Sequence, residues 1–141
     1  MKVINTGGDA LEILSMSIDK DDLRQLEKVQ RRLGFKSRSK MLRSAVLSLL
    51  NDYEKLDSLA GNVESVFVLA YSEAEKNHFS DLLHGFKDAI KTELHQHHPG
   101  TCVDVLGIST TAKKTRELFG VLKQSKCVHS ITYSIISETK K

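Results

Sequence analysis

Val63-Glu64-Ser65-Val66-Phe67-Val68-Leu69-Ala70-Tyr71-Ser72 is a run rich in β-branched and aromatic side chains, a composition that suits a pleated, half-buried strand. Working downstream, Glu73–Leu83 reads as a helix with Phe79, Leu82 and Leu83 inward and Gly85 as its stop. Ile90, Thr92 and Leu94 then alternate with Lys91, Glu93 and His95, which predicts a strand reaching His97. Pro99-Gly100 makes a tight turn into a second strand, Cys102–Ile108. A helix over Thr111–Ser125, carrying Leu118, Phe119 and Leu122, and a last strand, Val128–Ile136, complete the series. The order βαββαβ is that of a ferredoxin-like split unit.

Upstream of Val63 lies a polar link, residues 57–62, and before it a different pattern. Gly7-Gly8 and few apolar side chains make residues 1–10 an expected flexible arm. Leu14-Ser15-Met16-Ser17-Ile18 alternates strictly between apolar and hydroxyl residues, which predicts a strand. Asp19 is placed to cap a helix in which Leu23, Leu26, Val29 and Leu33 recur at helical spacing, and Gly34 to end it. Ser37 is placed to cap a second helix with an apolar stripe of Leu42, Ala45, Val46, Leu49, Leu50 and Tyr53. One strand has two unpaired edges, and the second helix carries more apolar surface than a short neighbour covers, so pairing of two chains is expected.

This strand-helix-helix plan, with Gly34-Phe35-Lys36-Ser37-Arg38-Ser39 at the turn, resembles a ribbon-helix-helix DNA-binding domain. The resemblance implies that Ile13, Ser15 and Ser17 form the base-reading face, Ile13 standing where the family often has a polar or basic side chain. It also implies that Ser37 and Ser39 face backbone phosphates, with Lys36, Arg38 and Lys40 beside them. Charge points the same way. Residues 1–52 hold ten Lys/Arg against seven Asp/Glu, whereas residues 53–141 hold eleven of each. Between Arg24 and Arg43 eight basic residues meet one acid, Glu27. A basic block on a neutral body is a footprint for a polyanion, most simply duplex DNA; on charge alone a solvated helix face explains it as well.

The second informative stretch is His95-Gln96-His97-His98-Pro99-Gly100-Thr101-Cys102, with His84 eleven residues before His95. Imidazole and thiolate form a donor set for borderline or soft transition metals such as nickel, copper or zinc. His95 and His97 are two apart on an expected strand and project to one face, and the Pro-Gly turn returns Cys102 beside them. Three donors are thus expected to converge, while His84, at the end of the preceding helix, is left to reach the same ion either within the chain or from a second subunit. The competing account is a set of solvated histidines with one core cysteine.

Taken together, Leu14–Asp19, Gly34–Ser39, His84-Gly85-Phe86-Lys87-Asp88, Leu94-His95-Gln96-His97 and Cys102-Val103-Asp104-Val105 resemble the nickel-responsive transcriptional regulators of the NikR type. The resemblance implies an α+β chain: a ribbon-helix-helix (βαα) dimerisation and DNA-binding domain over 11–56, a linker over 57–62, and an ACT-type βαββαβ metal-sensing and tetramerisation domain over 63–141. It implies a homotetramer, a dimer of dimers, acting on a double-stranded DNA operator. It implies a Ni(II) site of His95, His97 and Cys102 with His84 from the partner, and a repressor of metal uptake genes. The turn between His97 and Cys102 is one residue shorter than in that family, which leaves Cu(II), Co(II) or Zn(II) as alternatives. Lys40 and Ser44 stand where the family has acids.

Other classes fit less well. Four protein ligands close a metal site, whereas catalysis needs an open position and a nearby base, so no enzyme is expected. No apolar run approaches the ~20 residues of a membrane span, and no export signal is read, so a reduced cytoplasmic protein is expected. His78 and His129 have no partners in sequence, His98 reads as a turn histidine, and Cys127 reads as a small buried hydrophobe. The remaining alternative is a metal-independent ribbon-helix-helix regulator with a small-molecule or protein effector.

Overall fold

The computed structural model describes residues 12–139; the expected arm over 1–10 lies outside them. The chain divides into two compact units, Met1–Leu49 and Leu50–Lys141. Among the described residues, four helices and one four-stranded antiparallel sheet follow the order α1 (Lys20–Leu33), α2 (Arg38–Asp57), β1 (Asn62–Ser72), a 3-10 turn (Glu73–Glu75), α3 (Lys76–His84), β2 (Ile90–His98), β3 (Thr101–Thr111), α4 (Ala112–Gln124) and β4 (Val128–Thr139).

The first unit corrects the expected fold. Residues 12–19 form no strand, so the described chain opens on two helices and not on the βαα plan of a ribbon-helix-helix domain. The expected composite of that domain with an ACT-type unit is therefore set aside for an α/β chain in which α1 and α2 precede the sheet. The physical reason is that alternation makes a strand only where a neighbour takes its backbone donors and acceptors. Leu14 and Met16 stay 68% and 67% exposed, so no dry face forms to enforce the alternation.

The caps of the helix pair follow their residues closely. Asp19 accepts from the amides of Asp21 and Asp22 at 3.0 and 2.9 Å. Gly34 ends α1 at φ 72°, a left-handed conformation that favours glycine, and Phe35 N–H bonds Gln30 C=O at 3.0 Å. The Ser37 hydroxyl accepts from Lys40 N–H at 3.2 Å and so caps α2.

In the second unit the strand order is β2-β3-β1-β4, with β1 between β3 and β4. Every odd position of β1 from Val63 to Tyr71 is buried, and every even position of β3 from Cys102 to Ile108. Those phases meet Phe79 and Leu83 of α3 and Leu118 and Leu122 of α4 in one apolar core. Tyr71 stacks on Phe79 with ring centroids 3.8 Å apart. β2 and β4 are the edges, and β2 is exposed along almost its whole length.

Candidate metal centre

The pairing of β2 with β3 builds the site. Its register sets His95 opposite Asp104 and His97 opposite Cys102. Directly opposed residues share a face, so two imidazoles, a thiol and a carboxylate stand on the core side of the sheet, at its open edge. Cys102 and Asp104 belong to the buried phase of β3, at 0% and 2% exposure, because apolar Leu106 and Ile108 continue that phase into the core.

A carboxylate buried so deeply needs partners. Asp104 Oδ1 accepts from the Tyr71 hydroxyl at 3.2 Å and lies 2.5 Å from His95 Nδ1. Burial, and then the neighbouring Asp104 and Cys102, push the Tyr71 phenol well above its ordinary range, so it remains a donor. With Nδ1 engaged, His95 has Nε2 as its remaining ring nitrogen. His97 turns the other way: its Nδ1 lies 4.0 Å from Cys102 Sγ, and its Nε2 lies 3.5 Å from Glu73 Oε1.

The structure thus brings His97 and Cys102 together and sets His95 two residues along the same face. It does not bring the set to one point: among the described residues, no group of three or more His, Cys, Asp or Glu is placed to hold a metal ion. His84 is the last residue of α3 and is exposed. The donor chemistry and register suit a transition metal, but the separations require further ligands or closure of the side chains. His98 pairs opposite Thr101 on the other face of β2.

Three residues near these donors were not read from the sequence as parts of a site. In the sequence Tyr71 reads only as a strand residue, Glu73 as a helix start and Asp104 as part of the stretch that follows Cys102. The available signal was an acid at 104, in phase with Cys102, Leu106 and Ile108, which is a polar residue in a core register. A cavity of about 430 Å³ opens beside Tyr71, His95 and Asp104 and is also lined by Lys76 and Lys87. A larger one of about 740 Å³ gathers His78, Cys127 and His129 with Glu75.

The expected DNA contacts lie in the first unit. Ile13, Ser15 and Ser17 are exposed in the segment before α1, outside any strand. Lys36, Arg38, Ser39 and Lys40 are exposed around the start of α2, and Ser37 is half-buried in its capping role. Arg38 is paired with Glu27. No helix among the described residues is long and apolar enough to cross a membrane.

No protein-family model matches the chain. The chain is similar over nearly its full length to curated proteins. "Putative nickel-responsive regulator 2" of Methanothermobacter thermautotrophicus is 24% identical over 132 residues, covering 91% of this chain and 94% of the relative. "Putative nickel-responsive regulator" of Dictyoglomus thermophilum is 26% identical over 129 residues, covering 85% of this chain and 91% of the relative. The fold is similar to that of an uncharacterized protein of Thermotoga maritima, at a TM-score of 0.50 and 16% identity, over 54% of this chain and 99% of that one.

Proposed function

We propose that the chain is a DNA-binding transcriptional regulator whose affinity for its operator is set by a transition metal, nickel before copper, cobalt or zinc. The observation that carries this reading is the β2–β3 register, which sets His97 opposite Cys102 and His95 on the same face with its Nδ1 held by Asp104. An outer carboxylate that fixes a histidine's tautomer is a usual companion of metal ligation. The names of the similar proteins support nickel as the first metal to test.

In this reading His95, His97 and Cys102 come from one chain and His84 from another, which agrees with the lack of a complete donor group among the described residues of one chain. Two chains joined in this way make metal occupancy depend on assembly, and a homotetramer is the proposed form. Exposed apolar side chains of the helix pair support association: Leu33, Val46 and Leu47 are 70%, 51% and 53% exposed. The division of labour assigns DNA to residues 11–56, a link to 57–62 and sensing to 63–141. Lys36, Arg38 and Lys40 meet phosphates together with Ser37 and Ser39, while Ile13, Ser15 and Ser17 face bases.

When bound, the ion supplies a cross-link between chains and charge to neutralise the Cys102 thiolate. The chain's own residues do the rest. Asp104 and Tyr71 hold His95, and closure around the ligands favours one arrangement of the assembly over others. Repression of metal uptake is the proposed outcome, and no enzymatic step is assigned.

The test is selection of duplexes from a random library by purified protein, with nickel and separately with EDTA. Enrichment of one sequence with nickel alone supports the reading; equal enrichment under both conditions overturns its metal half.

A further inference from the structure

The Glu73 carbonyl accepts from Lys76 N–H and closes the 3-10 turn, but its side chain plays no part in capping it. The 3-10 turn Glu73–Glu75 has no side-chain cap, and the Glu73 carboxylate turns instead to the β2–β3 hairpin. Glu73 makes three contacts there, one through its backbone and two through its carboxylate. Its backbone N–H donates to Gly100 C=O at 3.2 Å, its Oε2 accepts from Gly100 N–H at 3.3 Å, and its Oε1 lies 3.5 Å from His97 Nε2. Gly100 sits at φ 77°, so this turn depends on glycine, and Glu73 clasps it from the 3-10 turn that follows β1.

We infer that Glu73 is a positioning residue that selects the tautomer of His97. A neutral imidazole has one N–H and one bare nitrogen. With the proton on Nε2 and directed at Glu73 Oε1, the bare nitrogen is Nδ1, the atom 4.0 Å from Cys102 Sγ. Asp104 does the opposite to His95, engaging Nδ1 and leaving Nε2. The difference has a geometric use. Residues two apart on a strand are separated by roughly 6.5–7 Å, and Nδ1 lies nearer the backbone than Nε2. A long reach from position 95 and a short reach from position 97 aim two nitrogens at one point beside Cys102, where two equal reaches stay apart. The Glu73 and His97 side chains are 48% and 56% exposed, so their contact adds little to folding and its effect lies in orientation.

The consequence for metal affinity rests on the proposed function; the tautomer itself does not. The experiment records ¹⁵N-¹H correlations of the histidine rings in chelator-stripped full-length protein at pH 8, for the wild type and for Glu73→Ala and Glu73→Gln. Wild-type His97 is expected as the Nε2–H form, Glu73→Ala as a mixture, and Glu73→Gln in between, since its single amide oxygen cannot serve both Gly100 and His97. His95 serves as the internal control and stays unchanged. A His97 ring with the same tautomer in all three proteins, or one protonated on Nδ1 in the wild type, overturns the inference. Nickel titration of the same samples separates it from the functional reading. A loss of about 10–100-fold in affinity for Glu73→Ala supports both. A wild type that shows the tautomer effect and takes up no nickel keeps the inference and overturns the metal site.

Discussion

The Nδ1 of His95 lies 2.5 Å from the Oδ1 of Asp104, a carboxylate only 2% exposed that also accepts from Tyr71. This contact ties the open edge of the sheet to its core. Asp104→Asn keeps the shape and one oxygen but removes the charge that holds the ring. Its expected effect is a fall in nickel affinity of about 10–100-fold, read by competition with a chelating dye. Tyr71→Phe removes one donor and leaves the carboxylate, so its effect on affinity is the smaller of the two. An equal loss from both variants points instead to general damage at this end of the sheet.

Cys102 is fully buried opposite His97. A thiolate bound to nickel or copper gives an intense sulfur-to-metal charge-transfer band, so Cys102→Ala is expected to abolish that band while Cys127→Ala leaves it. Both cysteines are free and buried, so the comparison controls for packing. A band that survives in Cys102→Ala removes this residue from the donor set. A band lost only in Cys127→Ala moves the site to the cavity around His78 and His129.

Much of the second unit was readable in the sequence, because its core is written in simple periods. The run from Val63 to Ser72 reads as a strand from its β-branched and aromatic content and forms β1, and Phe79, Leu118 and Leu122 fall on the inner faces of their helices. Leu14–Ile18 misled for a physical reason: period two records which faces differ, not whether a neighbouring strand exists. The candidate site was legible as far as its donors. His95, His97 and Cys102 could be named from spacing, whereas Tyr71 meets Cys102 only through the pairing of β1 with β3, and Glu73 meets His97 only across the turn that follows β1. Periodicity within a segment carries no record of such register. The separation of the donors in space was also beyond reach, since it depends on side-chain directions at an exposed edge.

The basic residues of the first unit make a graded prediction. Lys36 and Lys40 are exposed near the start of α2, whereas Arg38 is already paired with Glu27. Lys36→Ala and Lys40→Ala are expected to weaken DNA binding almost equally for specific and random duplexes, each reducing the salt slope by about one. Arg38 must exchange Glu27 for a phosphate, so Arg38→Ala costs less than either lysine, and Glu27→Gln strengthens binding. Fluorescence anisotropy over a range of salt concentrations checks all four variants. Unchanged slopes in both lysine variants place the phosphate contacts elsewhere.

Two tyrosines set the alkaline limit of the second unit. Burial and then Asp52 push the Tyr133 phenol up, and its hydroxyl donates to Asp52 C=O at 3.2 Å. Tyr71 is raised in the same direction by burial, Asp104 and Cys102. A phenol whose folded value is raised favours the fold fully below its unfolded value of about 10. That contribution is lost as pH climbs from there toward the folded value. Denaturant midpoints are therefore expected to fall above about pH 10, and Tyr133→Phe to flatten part of that fall. Phenolate absorbance should appear together with unfolding for these two rings. Early ionisation of all tyrosines in the folded protein contradicts the burial argument.

Gly107 lies where β3 passes the irregular start of β2, and a Cβ there would collide with Thr92 Oγ1. The obstacle is a side chain and not backbone, so the strain can be relieved at one named residue. Gly107→Ala is expected to destabilise the second unit by about 1–3 kcal/mol, the usual range for an overpacked site. Thr92→Ala alone removes only an exposed hydroxyl and a methyl group and should cost little. In the double variant the alanine at 107 has room, so most of the loss should be recovered. That non-additivity is the diagnostic, and chemical denaturation of the four proteins measures it. Additive losses would mean that Gly107 is needed for its backbone and not for the space it leaves to Thr92.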